Sequence, residues 1–202
     1  MTTLGQNPSQ PEVAAACNLS LAQAPAIRGI RLGMKPDEWL KLFPGSEQDE
    51  KVKAMLDRPA AYPSYGYTNI PFYPVFSQNQ FSYLPREKFS GVEYVKLNLF
   101  DHQIVGFSVV YSPYPNQSQS QPVWDSASQL IPIFSETFNL PKISAWKVEG
   151  PWATLQCEGF EMKLEARSSQ AAVYLSSKSD FQQIIRQRAE ADKQKGRAAF
   201  KP

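Results

Sequence analysis

Alternation of apolar and polar positions is clearest between residues 92 and 111. Val95, Leu97 and Leu99 alternate with Tyr94, Lys96 and Asn98, the period of two expected of a strand with one buried face, so residues 92–100 are predicted as a strand. Asp101 and His102 supply the turn, and residues 104–111 return with Val105, Phe107, Val109 and Tyr111 on one side, completing an antiparallel hairpin. The same period recurs where Phe160, Met162, Leu164 and Ala166 alternate with Glu161, Lys163, Glu165 and Arg167. With residues 143–148, 152–157 and 171–175 this run reads as a second meander, one face packed and the other wet. Its turns are Glu149-Gly150-Pro151, Glu158-Gly159 and Arg167-Ser168-Ser169-Gln170. Residues 80–84 are a further short strand candidate.

Each meander follows a stretch with helical spacing. Pro36-Asp37-Glu38 carries the marks of a helix start, because proline presets φ at the first position and two acids face the positive end of the helix dipole. Trp39, Leu40, Leu42 and Phe43 supply the apolar side, and Pro44-Gly45 ends the helix after about two turns. A second helix is expected over residues 46–57, with Ser46 as its cap and Val52, Met55 and Leu56 at helical spacing. In the second half, Asp125 or Ser126 caps a helix reaching about Phe138, which Pro132 either kinks or divides in two. The predicted architecture is α+β, with two helix-then-antiparallel-meander halves forming a curved sheet. One domain spans residues 27–177, its halves 27–111 and 123–177. The polar Pro/Ser/Gln stretch 112–122 links them.

Three segments stand apart from this pattern. Residues 1–26, rich in Gln, Pro, Ala and Ser, read as an extended arm with too little apolar surface to offset the entropy of ordering. Residues 59–76, PAAYPSYGYTNIPFYPVF, are so dense in proline and aromatic rings that no regular ladder is expected to run through them. They suit either a lid over one end of the core or a partner-binding surface, since rings give large, rigid contact area. Residues 178–202 begin with Ser179 as a cap and Phe181, Ile184 and Ile185 on one side. The almost wholly polar run that follows should project into solvent or lie on a partner.

Composition narrows the function classes. The 42% apolar and 12% aromatic content of the 202 residues supports a real core. A net charge of +2 gives no broad field for nucleic acid or anionic membrane, and the C-terminal Arg186, Arg188, Lys193, Lys195 and Arg197 are interleaved with Glu190 and Asp192. No apolar run is long enough to span a bilayer. The N-terminus lacks the basic and apolar regions of a secretory signal, although Val13-Ala14-Ala15-Ala16-Cys17 looks like a lipoprotein cleavage box and Ala22-Gln23-Ala24 like a signal peptidase site. The chain is therefore expected in the cytoplasm or on the cytoplasmic face of a membrane, with the cell envelope as the alternative if a degenerate leader is used. Cys17 and Cys157 stand far apart in sequence, which argues against a disulfide and for Cys157 as a small core hydrophobe.

Candidate chemistry is sparse. The single histidine, His102, falls in a hairpin turn with no nucleophile elbow beside it. One histidine and two distant cysteines cannot close a zinc shell. The acid pairs Asp37/Glu38 and Asp49/Glu50 are explained by helix starts, and Glu158, Glu161 and Glu165 by the wet face of a strand. Gly33 and Gly45 stand alone, outside any phosphate-binding loop. No catalytic, cofactor or metal residue is assigned.

The run from Ile27 to Trp39, IRGIRLGMKPDEW, ending at Phe43-Pro44-Gly45, resembles the opening of small uncharacterised bacterial envelope proteins, in which a G-x-x-L-G-M string precedes a short helix ending in Phe-Pro. Cys157-Glu158-Gly159-Phe160-Glu161 and the closing RAAFKP are similar to other parts of that group. The same opening resembles the small lipoprotein modules of outer-membrane assembly and β-lactamase-inhibitor-like domains. The resemblance covers residue 27 onwards and implies a helix pair followed by a strand meander, in proteins that bind other proteins. The expectation is a non-catalytic protein–protein interaction module, an accessory or structural subunit of a larger membrane-associated complex, binding other protein subunits and no nucleic acid. Its partner-binding candidates are Tyr62, Tyr65, Tyr67, Phe72, Tyr73, Arg186, Arg188 and Phe200. The alternative is a ligand-binding or inhibitor-like module using the loop 59–76.

Overall fold

A computed structural model describes residues 16–57, 67–74, 81–111, 126–167, 170–179 and 181–199. The fold starts with a tight two-residue turn in which Ile27 and Ile30, both fully buried, exchange backbone hydrogen bonds of 3.0 and 2.9 Å. Gly33 follows at φ 83°, the left-handed region that glycine enters without steric penalty, and its N–H donates to Ile104 O at 2.7 Å. Helix α1 (Pro36–Trp39) continues as a 3-10 turn, Leu40–Leu42, so the expected two turns are present in mixed form. Trp39 and Phe43 are fully buried. Trp39 Nε1 donates to His102 O at 3.2 Å, pinning the helix to the hairpin turn.

Ser46 is not the cap of the second helix. It sits inside a 3-10 turn (Ser46–Gln48), and α2 (Glu50–Leu56) is capped by Asp49, whose Oδ1 accepts from Lys51 N at 2.8 Å and Val52 N at 3.3 Å. A carboxylate immediately before the first turn satisfies two free N–H groups that a serine three residues upstream cannot reach. In the second half, Ser126 caps a 3-10 turn (Ala127–Gln129) that runs into α3 (Leu130–Phe138). Pro132 lies in the first turn of α3, where a missing N–H costs nothing, so the helix is divided just ahead of it.

The strands are β1 (Tyr67–Phe72), β2 (Val92–Phe100), β3 (Gln103–Tyr111), β4 (Trp146–Glu149), β5 (Trp152–Gln156), β6 (Phe160–Arg167) and β7 (Gln170–Ser177). They form one antiparallel sheet in the order β1-β2-β3-β7-β6-β5-β4, an open α+β arrangement of two helix-then-meander halves. The halves join where β3 pairs with β7, from Gly106↔Ser176 to Tyr111↔Ala171. Asp101 and His102, at φ 48° and 65°, make the two-residue turn whose twist matches that of the flanking strands. Val95, Leu97, Leu99, Phe107, Val109, Met162, Leu164, Val173 and Leu175 point to one face and share a single core with Trp39, Phe43, Val52, Leu130 and Ile131 from the helical segments. The helical segments that precede β4 therefore share one side of the sheet.

Three expectations are corrected. A ladder does run through the Pro/aromatic segment, because β1 is an edge strand and Pro71 sits opposite Lys96 where only one neighbour needs its hydrogen bonds. Phe81–Leu84 is not a strand. Phe81 turns at φ 65°, and Tyr73 N donates to Phe81 O at 3.0 Å while Leu84 N donates to Tyr73 O at 2.8 Å, so this stretch closes onto the end of β1 instead. Residues 143–145 are a 3-10 turn, and β4 starts only at Trp146, whose indole donates to Pro141 O at 3.0 Å.

Cys17 and Cys157 are joined by a disulfide with a Cα–Cα distance of 4.4 Å, contrary to the reading of Cys157 as a lone core thiol. Backbone pairing brings the two together. Glu158 N donates to Cys17 O at 3.0 Å and Gly159 N to Leu19 O at 3.1 Å, laying the N-terminal segment along the β5–β6 turn. Gly159 is required there by space, since a β-carbon would fall 2.1 Å from Leu21 N.

Candidate binding face

The side of the sheet opposite the core carries a cross-strand row fixed by register. Tyr94 on β2 lies opposite Val110 on β3, Val110 opposite Ala172 on β7, Ala172 opposite Glu165 on β6, and Glu165 opposite Trp152 on β5. The two middle strands place short side chains between taller neighbours, and the result is a hollow of about 240 Å³. Tyr174, one row along on β7, forms a further wall, and Arg167 and Gln170 stand at the rim. Gln170 Nε2 donates to Glu93 Oε2 at 2.8 Å.

Glu165 is the unusual member. Its alternation places it on the face expected to be wet, yet the residue is only 8% exposed. Tyr174 Oη donates to its Oε2 at 2.8 Å. Its Oε1 forms an ion pair with Arg167 Nε but accepts no well-formed hydrogen bond. Burial pushes the Tyr174 hydroxyl well above the ordinary phenol range, and donation to the Glu165 carboxylate pushes it further the same way. Tyr94 is raised by burial and then by the charge of Glu93. Both phenols are thus held as neutral donors at any physiological pH.

Aromatic rings flank the hollow. Trp152 lies 5.6 Å from Tyr174 between ring centroids, and Tyr73 lies 6.0 Å from Tyr94. Of the residues expected to meet a partner, Tyr73 is thus brought to the edge of this face, and Tyr67 pairs through its backbone with Phe100. Phe72 is withdrawn from that set. It is fully buried on the core face and stacks on Phe43 at 4.0 Å, because its position in β1 alternates with the outward ones. Tyr62, Tyr65 and Phe200 lie outside the described residues. Arg186 is exposed on α4 (Phe181–Ala199).

Arg188 turns inward. Its NH1 donates to Asp101 Oδ1 at 2.7 Å, its NH2 pairs with Oδ2, and the guanidinium lies 5.1 Å from the Phe100 ring centroid. The Arg188 hydrogen bond holds the Asp101 carboxyl below the usual carboxylate range. Arg188 is therefore engaged within the chain rather than presented outward.

Sequence reasoning missed Tyr94, Trp152, Glu165 and Tyr174 as a group. Each occupies an outward position of a predicted strand, and three large aromatics at such positions are the signal that could have marked the face. Among the described residues no three His, Cys, Asp or Glu side chains converge as a metal-holding group, and no helix is long and apolar enough to cross a membrane. No family model, curated protein or solved structure matches this chain.

Proposed function

We propose that this chain is a non-catalytic protein-binding module that docks a partner on the open face of its sheet, as an accessory subunit of a membrane-associated assembly. The observation that supports this is the outward row of Trp152, Glu165, Tyr94 and, beside it, Tyr174 and Tyr73. Rigid aromatics with interspersed charge are the composition of binding hot spots, and a solvent-facing sheet has no structural need of them. The earlier alternative, a ligand site in the loop 59–76, loses Phe72 to the core, while Tyr73 contributes to the edge of the same face. The disulfide supports an oxidising compartment, hence the cell envelope in preference to the cytoplasm. It also occupies the Cys17 thiol, the atom that lipid attachment at the Ala-Ala-Ala-Cys string would require.

A photo-cross-linking residue placed at Thr154, on the open face, is expected to trap a defined partner in cells of the source organism. The same probe at Glu50, on the outer side of α2, is expected to trap none. Equal products from both positions, or products from Glu50 alone, would retire the open face as the docking surface.

A further inference from the structure

We infer that the hollow between Tyr94 and Glu165 is a socket for a cationic side chain, an arginine or lysine, presented by the docked partner. The inference rests on the protein-binding reading above and specifies what that partner must bring. Val110 and Ala172 make the floor shallow in side-chain volume, so a slender group can descend between the tyrosine walls. At its side waits a carboxylate with nine-tenths of the side chain buried. One oxygen is used by Tyr174, and the other accepts no well-formed hydrogen bond. A desolvated carboxylate oxygen in that state gains most from an N–H donor of positive charge.

The local charge favours the same occupant. Among the lining residues Glu165 is the one acid and Arg167 the one base, and Glu93, which accepts from the lining Gln170, adds a second carboxylate at the edge of the hollow. Arg167 is 63% exposed, so much of its charge faces water and its hold on Glu165 is weakened by that hydration. An anionic group would meet Glu165 directly, and an apolar one would leave Oε1 with the Arg167 ion pair alone. The rings of Tyr94 and Tyr174 add faces and edges against which a guanidinium or ammonium packs favourably.

The test is a titration of the full chain, followed through the backbone amide signals of Val110, Glu165 and Ala172. N-acetyl-arginine methylamide and N-acetyl-lysine methylamide serve as cationic probes and N-acetyl-aspartate methylamide as the anionic one. Saturable shifts are expected with the cations and none with the aspartate analogue. Glu165→Gln keeps an acceptor for Tyr174, and should weaken the arginine analogue by about tenfold or more. Arg167→Gln removes the internal competitor and should tighten it, a response that a merely structural ion pair would not give. Linear shifts with both cations, equal binding of the aspartate analogue, or an unchanged constant in Glu165→Gln would overturn the socket. Saturation without a Thr154 cross-link would retire docking and leave the cation site. A cross-link together with flat titrations would do the reverse.

Discussion

Two glycines separate the steric from the conformational use of that residue. At Gly159 the neighbouring atoms are backbone, Leu21 N at 2.1 Å and Ser20 C at 2.6 Å from where a β-carbon would sit. No side chain can swing aside, so the N-terminal segment itself must lift. Gly150, at φ 57°, meets nothing within 4 Å, so a methyl group there encounters only backbone strain. Gly150→Ala should therefore cost about 1 kcal/mol, and Gly159→Ala about 1–3 kcal/mol. Urea unfolding of the two variants checks the order. If Gly150→Ala proves the more damaging, the close approach of residues 20 and 21 to the β5–β6 turn is wrong. A glycine beside a turn signal marks a turn in sequence, but nothing local reveals that a second chain segment passes over it. This is why Glu158-Gly159 was legible as a turn and illegible as a crossing point.

Elements whose period is carried by neighbours in sequence were readable, and those defined by distant partners were not. β2 appears with its predicted bounds because Val95, Leu97 and Leu99 alternate without interruption. β1 was hidden by Pro71, whose tolerance depends on the strand being at the sheet edge, a fact of topology alone. The outward cross-strand row was hidden for the same reason, since Tyr94, Val110, Ala172, Glu165 and Trp152 come together only once the register is known. α4 is the element with the loosest attachment to the body. Ile185, Arg188 and Ala189 are half-buried and most other described side chains are exposed, so the Arg188–Asp101 pair supplies much of its orientation. Both side chains are about one-third exposed, which limits the pair to about 1 kcal/mol. Because pairing lowers the folded-state pKa of Asp101, its contribution is present at neutral pH. It is lost as pH falls through that lowered value, below the ordinary carboxylate range. Asp101→Asn preserves the φ-positive turn, which asparagine also accepts, but removes the charge. Amide exchange in residues 183–196 should accelerate several-fold in this variant at pH 7, while β2 and β3 keep their protection. With the intrinsic pH dependence of exchange divided out, acid should lower the protection factors of the same amides in the parent chain and leave those of the variant nearly unchanged. An equal acid response in both would mean that another group holds α4.

At the scale of the whole molecule, the two meanders share one core and one sheet, so neither half buries its apolar face alone. The disulfide acts on this unit from outside the sheet. It closes a loop of 140 residues, from the N-terminal segment to the end of β5, and thereby encloses both helical segments and most of the strands. Loop closure of that length restricts the unfolded chain by an amount worth about 5 kcal/mol in the entropic account. Meanwhile the folded state already holds Cys17 beside Cys157 through the hydrogen bonds to residues 158 and 159. The bond is thus expected to change stability far more than shape. Paired Cys17→Ser and Cys157→Ser substitutions should lower the unfolding free energy by about 2–5 kcal/mol, read by denaturant titration against the oxidised parent. The amides of Glu158 and Gly159 should lose protection first, because their acceptors, Cys17 O and Leu19 O, then lie on a segment tethered at Ile27 alone. The parent treated with reductant should fall to the same stability as the double variant. If reduction leaves the denaturation midpoint unmoved, the two sulfurs are not bonded in solution, and the case for an oxidising compartment goes with them.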